Sequence, residues 1–139
     1  MLNMVNKESG LAGISGVSSD MREITAAAKQ GNEKAILSLE MYEQRITKYV
    51  GAFAAEMGGV DIIVFTGGVG EHQSSTRANV CNPLRFMGVE IDDAANDANN
   101  GDEGIISTPN SAVKVVVIPT DEEYMIAKDT EAIIEGREP

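Results

Sequence analysis

The sequence is poor in the residue types that build aromatic cores or redox sites. It has no tryptophan, aromatic residues make up 4% of its 139 residues, and cysteine and histidine occur once each. A single cysteine excludes an intramolecular disulfide and fits a reducing compartment. We therefore expect one domain whose modest core is aliphatic, with Cys81 as one of the buried residues.

Positive charge is also scarce. The chain has 11 Lys and Arg against 22 Asp and Glu, a formal net charge of -11. A nucleic-acid binder needs a basic face and an anionic membrane surface would repel this chain, so we expect neither partner. No segment approaches the roughly 20 apolar residues that span a bilayer, and residues 1–8 lack the apolar core of a secretory signal. We expect a soluble, cytoplasmic protein.

The spacing of apolar residues predicts alternating helices and strands, which is an α/β fold class. We predict helices at residues 21–29, 33–57, 74–85 and 120–135. The helix at 33–57 has a wide apolar face and is expected to pack on more than one neighbour. Short apolar runs at residues 61–66 and 113–118 are typical of strands buried on both faces. Residues 9–17 are predicted to form a loop or a short irregular strand, and residues 92–104 a surface loop that could include a helical turn.

A glycine-rich segment follows the first predicted strand. It reads Thr66-Gly67-Gly68-Val69-Gly70-Glu71 and leads towards a helix. Glycines let backbone N–H groups approach an anion closely, so this segment could bind a phosphate or nucleotide. It matches neither the Rossmann fingerprint nor the P-loop. The alternative is a tight strand-to-helix turn without a ligand.

Two further segments combine charged residues with helix-start signals. The first is Ser-Ser-Asp-Met-Arg at residues 18–22, in which Arg22 could stack on or hydrogen-bond a ligand. The alternative is a capped helix start without a ligand, with Asp20 or Ser19 as the N-cap. The carboxylates of residues 121–123 could hold a hard cation. Alternatively, Thr120 and Glu123 have the spacing of a capping box.

His72 is the only histidine and lies beside the glycine-rich segment, where it could meet a nucleotide. A histidine without a partner base or a cluster of metal ligands is more often a solvated side chain.

Together these segments resemble the acetate kinase family. The matching stretches are SGLAGISGVSSDMREI at 9–24, the run from GNEKAIL to VFTGGVGE at 31–71, and STPNSAVKVVVIPTDEEYMIAKDT at 107–130. They cover nearly the whole chain in the family's order. The resemblance implies reversible phosphoryl transfer between ATP and acetate, giving acetyl phosphate and ADP. It also implies one domain of the duplicated actin and sugar-kinase-like (ribonuclease H-like) fold, with residues 1–139 as a C-terminal nucleotide-binding portion.

The resemblance also assigns site residues. It implies nucleotide contacts at Asp20, Met21, Arg22, Gly68, Val69, Gly70, Glu71 and His72, and a carboxylate linked to the Mg²⁺ of Mg²⁺–ATP at Glu122. Two positions depart from the family's usual pattern. His72 stands where asparagine is usual, and Asp121 replaces a common asparagine beside the metal position.

The family places its acetate pocket and catalytic residues earlier in the chain, and this sequence resembles roughly the last third. We therefore expect no catalytic residue here, inactivity of the isolated chain, acetate or acetyl phosphate bound through another part of the kinase, and a homodimer. Propionate kinase and a non-catalytic nucleotide-binding or dimerisation module remain alternatives.

Overall fold

A computed structural model describes residues 2–137 and confirms the α/β class. In chain order these residues form α1 (Leu2–Lys7), α2 (Gly10–Ser15), α3 (Met21–Lys29), α4 (Glu33–Met57), β1 (Ile62–Phe65), α5 (Gly67–His72), α6 (Ser74–Cys81), a 3₁₀ helix (Asn82–Met87), α7 (Asp93–Ala98), β2 (Gly104–Ile105), β3 (Lys114–Val117) and α8 (Glu122–Ile134). None of the helices within residues 2–137 is long and apolar enough to cross a lipid bilayer.

The three strands form one sheet in the order β1-β3-β2. β1 and β3 are parallel, with Ile62 opposite Lys114 and Phe65 opposite Val117, and β2 is antiparallel to β3. Because β1 and β3 run in the same direction, their carboxyl ends meet at one edge of the sheet. This arrangement brings the segments that follow the two strands together.

The longest helix, α4, begins and ends where the sequence predicts. The Asn32 side chain accepts hydrogen bonds from the backbone N–H groups of Lys34 and Ala35, and Gly58 ends the helix with φ +75°. The helix packs against α2, α3 and α6, which confirms the expectation of several neighbours. Part of its apolar face stays uncovered, because Phe53 and Met57 are exposed.

One face of the sheet carries the core and the other is open. Ile63 and Phe65 of β1 are buried with β3 and the α6 region, whereas Ile62 and Val64 are about half exposed, at 52% and 49%. The prediction that β1 is buried on both faces is therefore wrong for the described residues. The described helices that pack on the core residues of the sheet, α4 and α6, cover the face of Ile63 and Phe65.

Several predicted boundaries also differ. Residues 10–15, predicted as a loop or strand, form α2, because the apolar side chains of this segment pack on α4. The helix predicted at 74–85 changes to a 3₁₀ helix at Asn82, where Pro83 lacks a backbone donor. In contrast, the short helix at residues 93–98, capped by Asp92, agrees with the helical turn allowed for the predicted surface loop.

A fully buried arginine fixes the layer beneath the glycine-rich segment. The guanidinium of Arg77 donates to the side chain and backbone of Asn96 and to the backbone oxygens of Gly70, Glu71 and Asn99. Burial lowers the pKa of Arg77 below its usual range, and the charge of Asp97 opposes this shift. Arg77 therefore ties α5 to α7 by donating to buried and partly buried backbone carbonyl groups.

Replacing Arg77 should lower the free energy of unfolding more than replacing an exposed arginine. Arg77→Met leaves buried carbonyl oxygens without donors, so we expect a loss of about 3 kcal/mol or more in the free energy of unfolding. Arg85→Met, on the exposed side of the 3₁₀ helix, should change it by about 0.5 kcal/mol or less. Urea denaturation of both variants measures the difference, and equal losses would contradict the assigned role of Arg77.

Candidate functional site

The glycine-rich segment forms α5 directly after β1. Gly67 has φ +71°, a conformation that favours glycine, and a Cβ at Gly70 would lie 3.3 Å from the carbonyl carbon of Phe65. The positive φ at Gly67 and the close backbone contact at Gly70 therefore favour glycine at these positions even without a ligand. Gly68 differs, because a Cβ there would meet open space. Its missing side chain leaves the backbone accessible from outside.

The carboxylate of Glu71 joins the segments that follow the two parallel strands. One oxygen, Oε1, accepts from the backbone N–H of Gly67 at 2.7 Å, the backbone N–H of Thr120 at 2.9 Å and the Thr120 hydroxyl at 3.0 Å. The hydrogen bond from the Thr120 backbone is the main cause that lowers the pKa of Glu71 below its usual range. Glu71 is buried and occupied by these bonds, so its carboxylate acts inside the protein.

Glu122 opens α8 and is exposed. The predicted capping box is wrong: Asp121, not Thr120, is the N-cap, and its side chain accepts from the backbone N–H of Tyr124 at 3.0 Å. Thr120 does not cap α8 because its backbone N–H and its hydroxyl both donate to the carboxylate of Glu71. Glu123 therefore has no capping-box role that would distinguish it from Glu122.

The residues predicted in the 20–22 segment lie at the start of α3. Asp20 is the N-cap, and Arg22 donates to it from its backbone and from its guanidinium, with the shortest distance 2.6 Å. Hydrogen bonds from Arg22 lower the pKa of Asp20 to about 2. The Arg22 side chain is 86% exposed, whereas Met21 is buried. This segment thus presents a charged surface pair above a core methionine.

His72 ends α5 with an exposed ring. Its Nδ1 atom lies 3.0 Å from the backbone oxygen of Asn100, and its Nε2 atom lies 3.9 Å from the second carboxylate oxygen of Glu71. Gly101 makes room for the ring, since a Cβ at that position would lie 2.5 Å from the imidazole Cε1. The ring is held at the surface beside the glycine-rich segment.

The structure brings two of the three predicted segments together. Glu71 bonds directly to Thr120, so the segment of residues 68–72 and the start of α8 share one edge of the sheet. Among residues 2–137, the side chains of Asp20 and Arg22 bond only within their own segment. A cleft of about 400 Å³ borders the glycine-rich segment, lined also by α4, α6 and β1. A larger cleft of about 1290 Å³ between α2 and α4 is lined by none of the candidate residues.

Sequence reasoning missed Arg77 and the role of Thr120. A signal for Arg77 was present: it shares a helical face with Val80, Cys81 and Leu84, which are buried. A charged residue on an apolar face indicates a buried, hydrogen-bonded group. Cys81 itself is buried as expected, and burial raises the pKa of its thiol to about 12.

Comparison with known proteins shows which proteins this chain is similar to. A model described as the acetokinase family matches residues 1–128. An acetate kinase of Porphyromonas gingivalis is 59% identical over 131 residues, covering 94% of this chain and 33% of that protein. A crystal structure of P. gingivalis acetate kinase superimposes with a TM-score of 0.88 at 57% identity, over 96% of this chain and 33% of that one. A propionate kinase structure from Francisella tularensis gives 0.81 at 38% identity, over 92% of this chain and 32% of that one.

The chain spans about a third of the length of the curated relatives it matches. The match nevertheless covers nearly all of this sequence, and the shared fold includes the glycine-rich segment and the strands that position it. The chain therefore belongs to the acetokinase family.

Proposed function

We propose that the chain supplies the nucleotide-binding side of an acetate kinase, which transfers a phosphoryl group reversibly between ATP and acetate to give acetyl phosphate and ADP. In this proposal residues 1–139 are the C-terminal portion of the kinase, within one domain of a duplicated actin-like fold. The observation that carries the proposal is the bonding of Glu71 to Thr120, which joins the segment that contains the accessible Gly68 backbone to the segment that precedes the exposed Glu122 carboxylate. Phosphates and a cation need such a pair of neighbours.

The proposed nucleotide contacts divide by type. The backbone of Gly68, Val69 and Gly70 faces the ligand, Arg22 supplies an exposed cation, and His72 takes the position of the usual asparagine as a hydrogen-bonding ring. Glu71 acts indirectly, because its carboxylate holds the segment in place. Asp20 likewise orients Arg22 through their ion pair.

Magnesium fits this arrangement as part of Mg²⁺–ATP. Within residues 2–137 no group of three or more His, Cys, Asp or Glu side chains could hold a metal ion alone. Mg²⁺ commonly takes one or two protein carboxylates and completes its shell with phosphates and waters. Glu122 would provide the carboxylate, and the ion would neutralise phosphate charge on a protein of net charge -11.

Propionate kinase is the second candidate, supported by the 38% identical structure. The acyl group distinguishes the two activities, and in the proposed kinase it binds outside this chain. A non-catalytic nucleotide-binding or dimerisation module is the third.

The isolated chain should not make acetyl phosphate, because in-line transfer needs both substrates positioned by the same active site. A chimera in which this chain replaces the matching third of P. gingivalis acetate kinase should be active. Hydroxamate formation from ATP and acetate measures both. Robust formation of product by the 139-residue chain alone would refute the proposal that acetate binds outside this chain. An inactive but folded chimera would refute the proposal that this chain binds the nucleotide.

In the chimera, Glu122→Ala should lower kcat on the order of 100-fold, because it removes the carboxylate linked to Mg²⁺. Glu123→Ala is the matched control: both residues lie in the first turn of α8, so each substitution should lower stability by about 0.3–1 kcal/mol. Steady-state kinetics and thermal melts on both variants decide the assignment. A larger loss of turnover in Glu123→Ala would reverse it.

The chain should also self-associate through α4, consistent with a homodimeric kinase. One face of α4 carries three exposed apolar side chains at every fourth residue, Tyr49, Phe53 and Met57. The rings of Tyr49 and Phe53 are stacked, with their centroids 6.1 Å apart. Phe53→Glu should shift sedimentation towards the monomer, whereas Phe86→Glu, at an exposed phenylalanine of the 3₁₀ helix, should not. A wild-type chain that sediments as a monomer at high concentration would count against this interface.

A further inference from the structure

The carboxylate of Glu43 is buried where α4 packs on α6. Glu43 interrupts an apolar stripe of α4 that includes Leu39, Ile46 and Val50. Burial of a carboxylate at such a position is unfavourable unless a cation pairs with it. In the described part of the chain, no lysine, arginine or histidine forms a salt bridge with Glu43. The charge of ionised Glu43 is therefore not neutralised there.

Two neutral side chains of α6 bind this carboxylate instead, and the three residues form the α4–α6 junction. The Thr76 hydroxyl donates to Oε1 at 3.2 Å, and the Asn79 amide donates to Oε2 at 2.9 Å. A hydroxyl and an amide oxygen can also accept a hydrogen bond, so both partners can bind the protonated carboxyl group as well. The two protonation states of the junction therefore differ mainly in the charge that is buried.

Burial favours the protonated state of the closed junction. It raises the pKa of Glu43 above its usual range, and the hydrogen bonds from Asn79 and Thr76 oppose this shift. The negative charge of Glu40, on the same helix, raises the pKa further. The carboxyl group of Glu43 thus holds its proton to higher pH than an exposed glutamate does.

A cleft gives water a route to Glu43. It is the cleft of about 1290 Å³ between α2 and α4, and Glu43 lies in its wall. The other charged residues that line it, Glu40, Arg45 and Lys48, are exposed and belong to α4. Its described lining residues from α2, α6 and the 3₁₀ helix are uncharged, and α3 contributes none. Ionised Glu43 can therefore gain water if the junction loosens on this side.

The same helix α6 carries Arg77, which donates to the backbone of α5. Thr76 and Arg77 are consecutive, so the residue bonded to Glu43 and the residue bonded to α5 move together. At the other end of α6, the Thr47 hydroxyl lies 3.2 Å from the backbone oxygen of Val80, and this contact does not involve the carboxyl group. A looser junction therefore displaces the end of α6 that is nearer to α5.

We propose that protonation of Glu43 controls how tightly α6 packs on α4, and thereby how firmly Arg77 holds the glycine-rich segment α5. The uncharged carboxyl group keeps the junction closed. Loss of the proton favours hydration of the carboxylate from the cleft and loosens the start of α6. The consequence for the nucleotide rests on the proposed function, in which α5 binds the phosphates of ATP. Glu43 is then a positioning residue, and nucleotide binds more tightly when Glu43 is protonated.

An NMR titration of the 139-residue chain tests this coupling without a ligand or a substitution. The carboxyl carbon of Glu43 should titrate above about pH 4.3, the usual midpoint of a glutamate. The backbone carbonyl carbons of Gly70 and Glu71 should shift with the same midpoint. The side chain of Glu71 should titrate at lower pH, because its own pKa is lowered. A Glu43 midpoint at or below about 4.3, or α5 carbonyl carbons that do not follow Glu43, would overturn the inference.

Two substitutions separate Glu43 from the other titrating groups. Glu43→Gln has the same size but cannot ionise, so the transition shared with α5 should disappear. Glu40→Gln is the matched control, at an exposed position in the wall of the same cleft. The transition should persist there and move to lower pH, because the charge of Glu40 raises the pKa of Glu43. Persistence of the transition in Glu43→Gln, or its loss in Glu40→Gln, would contradict the assignment.

Calorimetry with Mg²⁺–ATP tests the consequence for the nucleotide in the chimera with P. gingivalis acetate kinase. The Kd of the unsubstituted chimera, divided by that of its Glu43→Gln variant, should rise by about fivefold or more between about pH 5 and about pH 8. Titration of ATP and of His72 affects both proteins and cancels in this ratio. A ratio that is constant with pH would overturn the inference. A chimera that does not bind Mg²⁺–ATP at all would refute the proposed function, and the NMR titration of the isolated chain would still decide whether Glu43 is coupled to α5.

Discussion

The carboxylate of Glu71 holds the carboxyl ends of two parallel strands in one arrangement. A single oxygen accepts three hydrogen bonds, one from Gly67 in its own helix and two from Thr120, which lies 49 residues further along the chain. The glycine-rich segment and the start of α8 would otherwise be independent loops at the sheet edge. Their shared anchor makes them neighbours, and the proposed phosphate and Mg²⁺ contacts depend on that proximity.

Arg77 supports the same arrangement from below. It binds the backbone oxygens of Gly70 and Glu71, so the short helix α5 is held by an internal cation at its end and by the Glu71 carboxylate at its start. Buried charged groups need full hydrogen bonding to be tolerated. Arg77 meets this requirement by donating to backbone carbonyl groups. Because the same hydrogen bonds hold α5 in place, loss of Arg77 should affect both the stability of the fold and the geometry of the candidate site.

Local sequence patterns predicted the parts of the fold that local physics controls. The ends of α4 follow from Asn32 and Gly58, and β1 and β3 follow from short apolar runs. The capping of α8 was wrong because Thr120 is recruited by a residue 49 positions away, which no short window contains. Segment α2 was also missed, because glycine and serine indicate a loop until the packing on α4 is known.

The candidate residues were found mainly through resemblance, and the structure changes the roles proposed for some of them. Sequence alone left the glycine-rich segment open between a ligand site and a plain turn. The structure separates its glycines: Gly67 has a positive φ, Gly70 lies close to the backbone of Phe65, and Gly68 has neither constraint. The exposure of Ile62 and Val64 departs from the sequence pattern of β1, which is typical of a strand buried on both faces.

The most direct test of this account is the free energy of unfolding of the wild type and Glu71→Gln as a function of pH. The pKa of Glu71 is lowered in the folded state, so its stabilising contribution is present above the unfolded pKa of about 4.3 and is lost as the pH falls through the folded value. The account predicts that the wild type is the more stable at pH 7, that the difference begins to shrink near the unfolded pKa of about 4.3, and that it closes once the pH has fallen below the lowered pKa of the folded state. Glu56→Gln, at an exposed position of α4, is the control substitution. Equal stability of wild type and Glu71→Gln at pH 7, or a difference that does not change with pH, would contradict the anchoring role of Glu71.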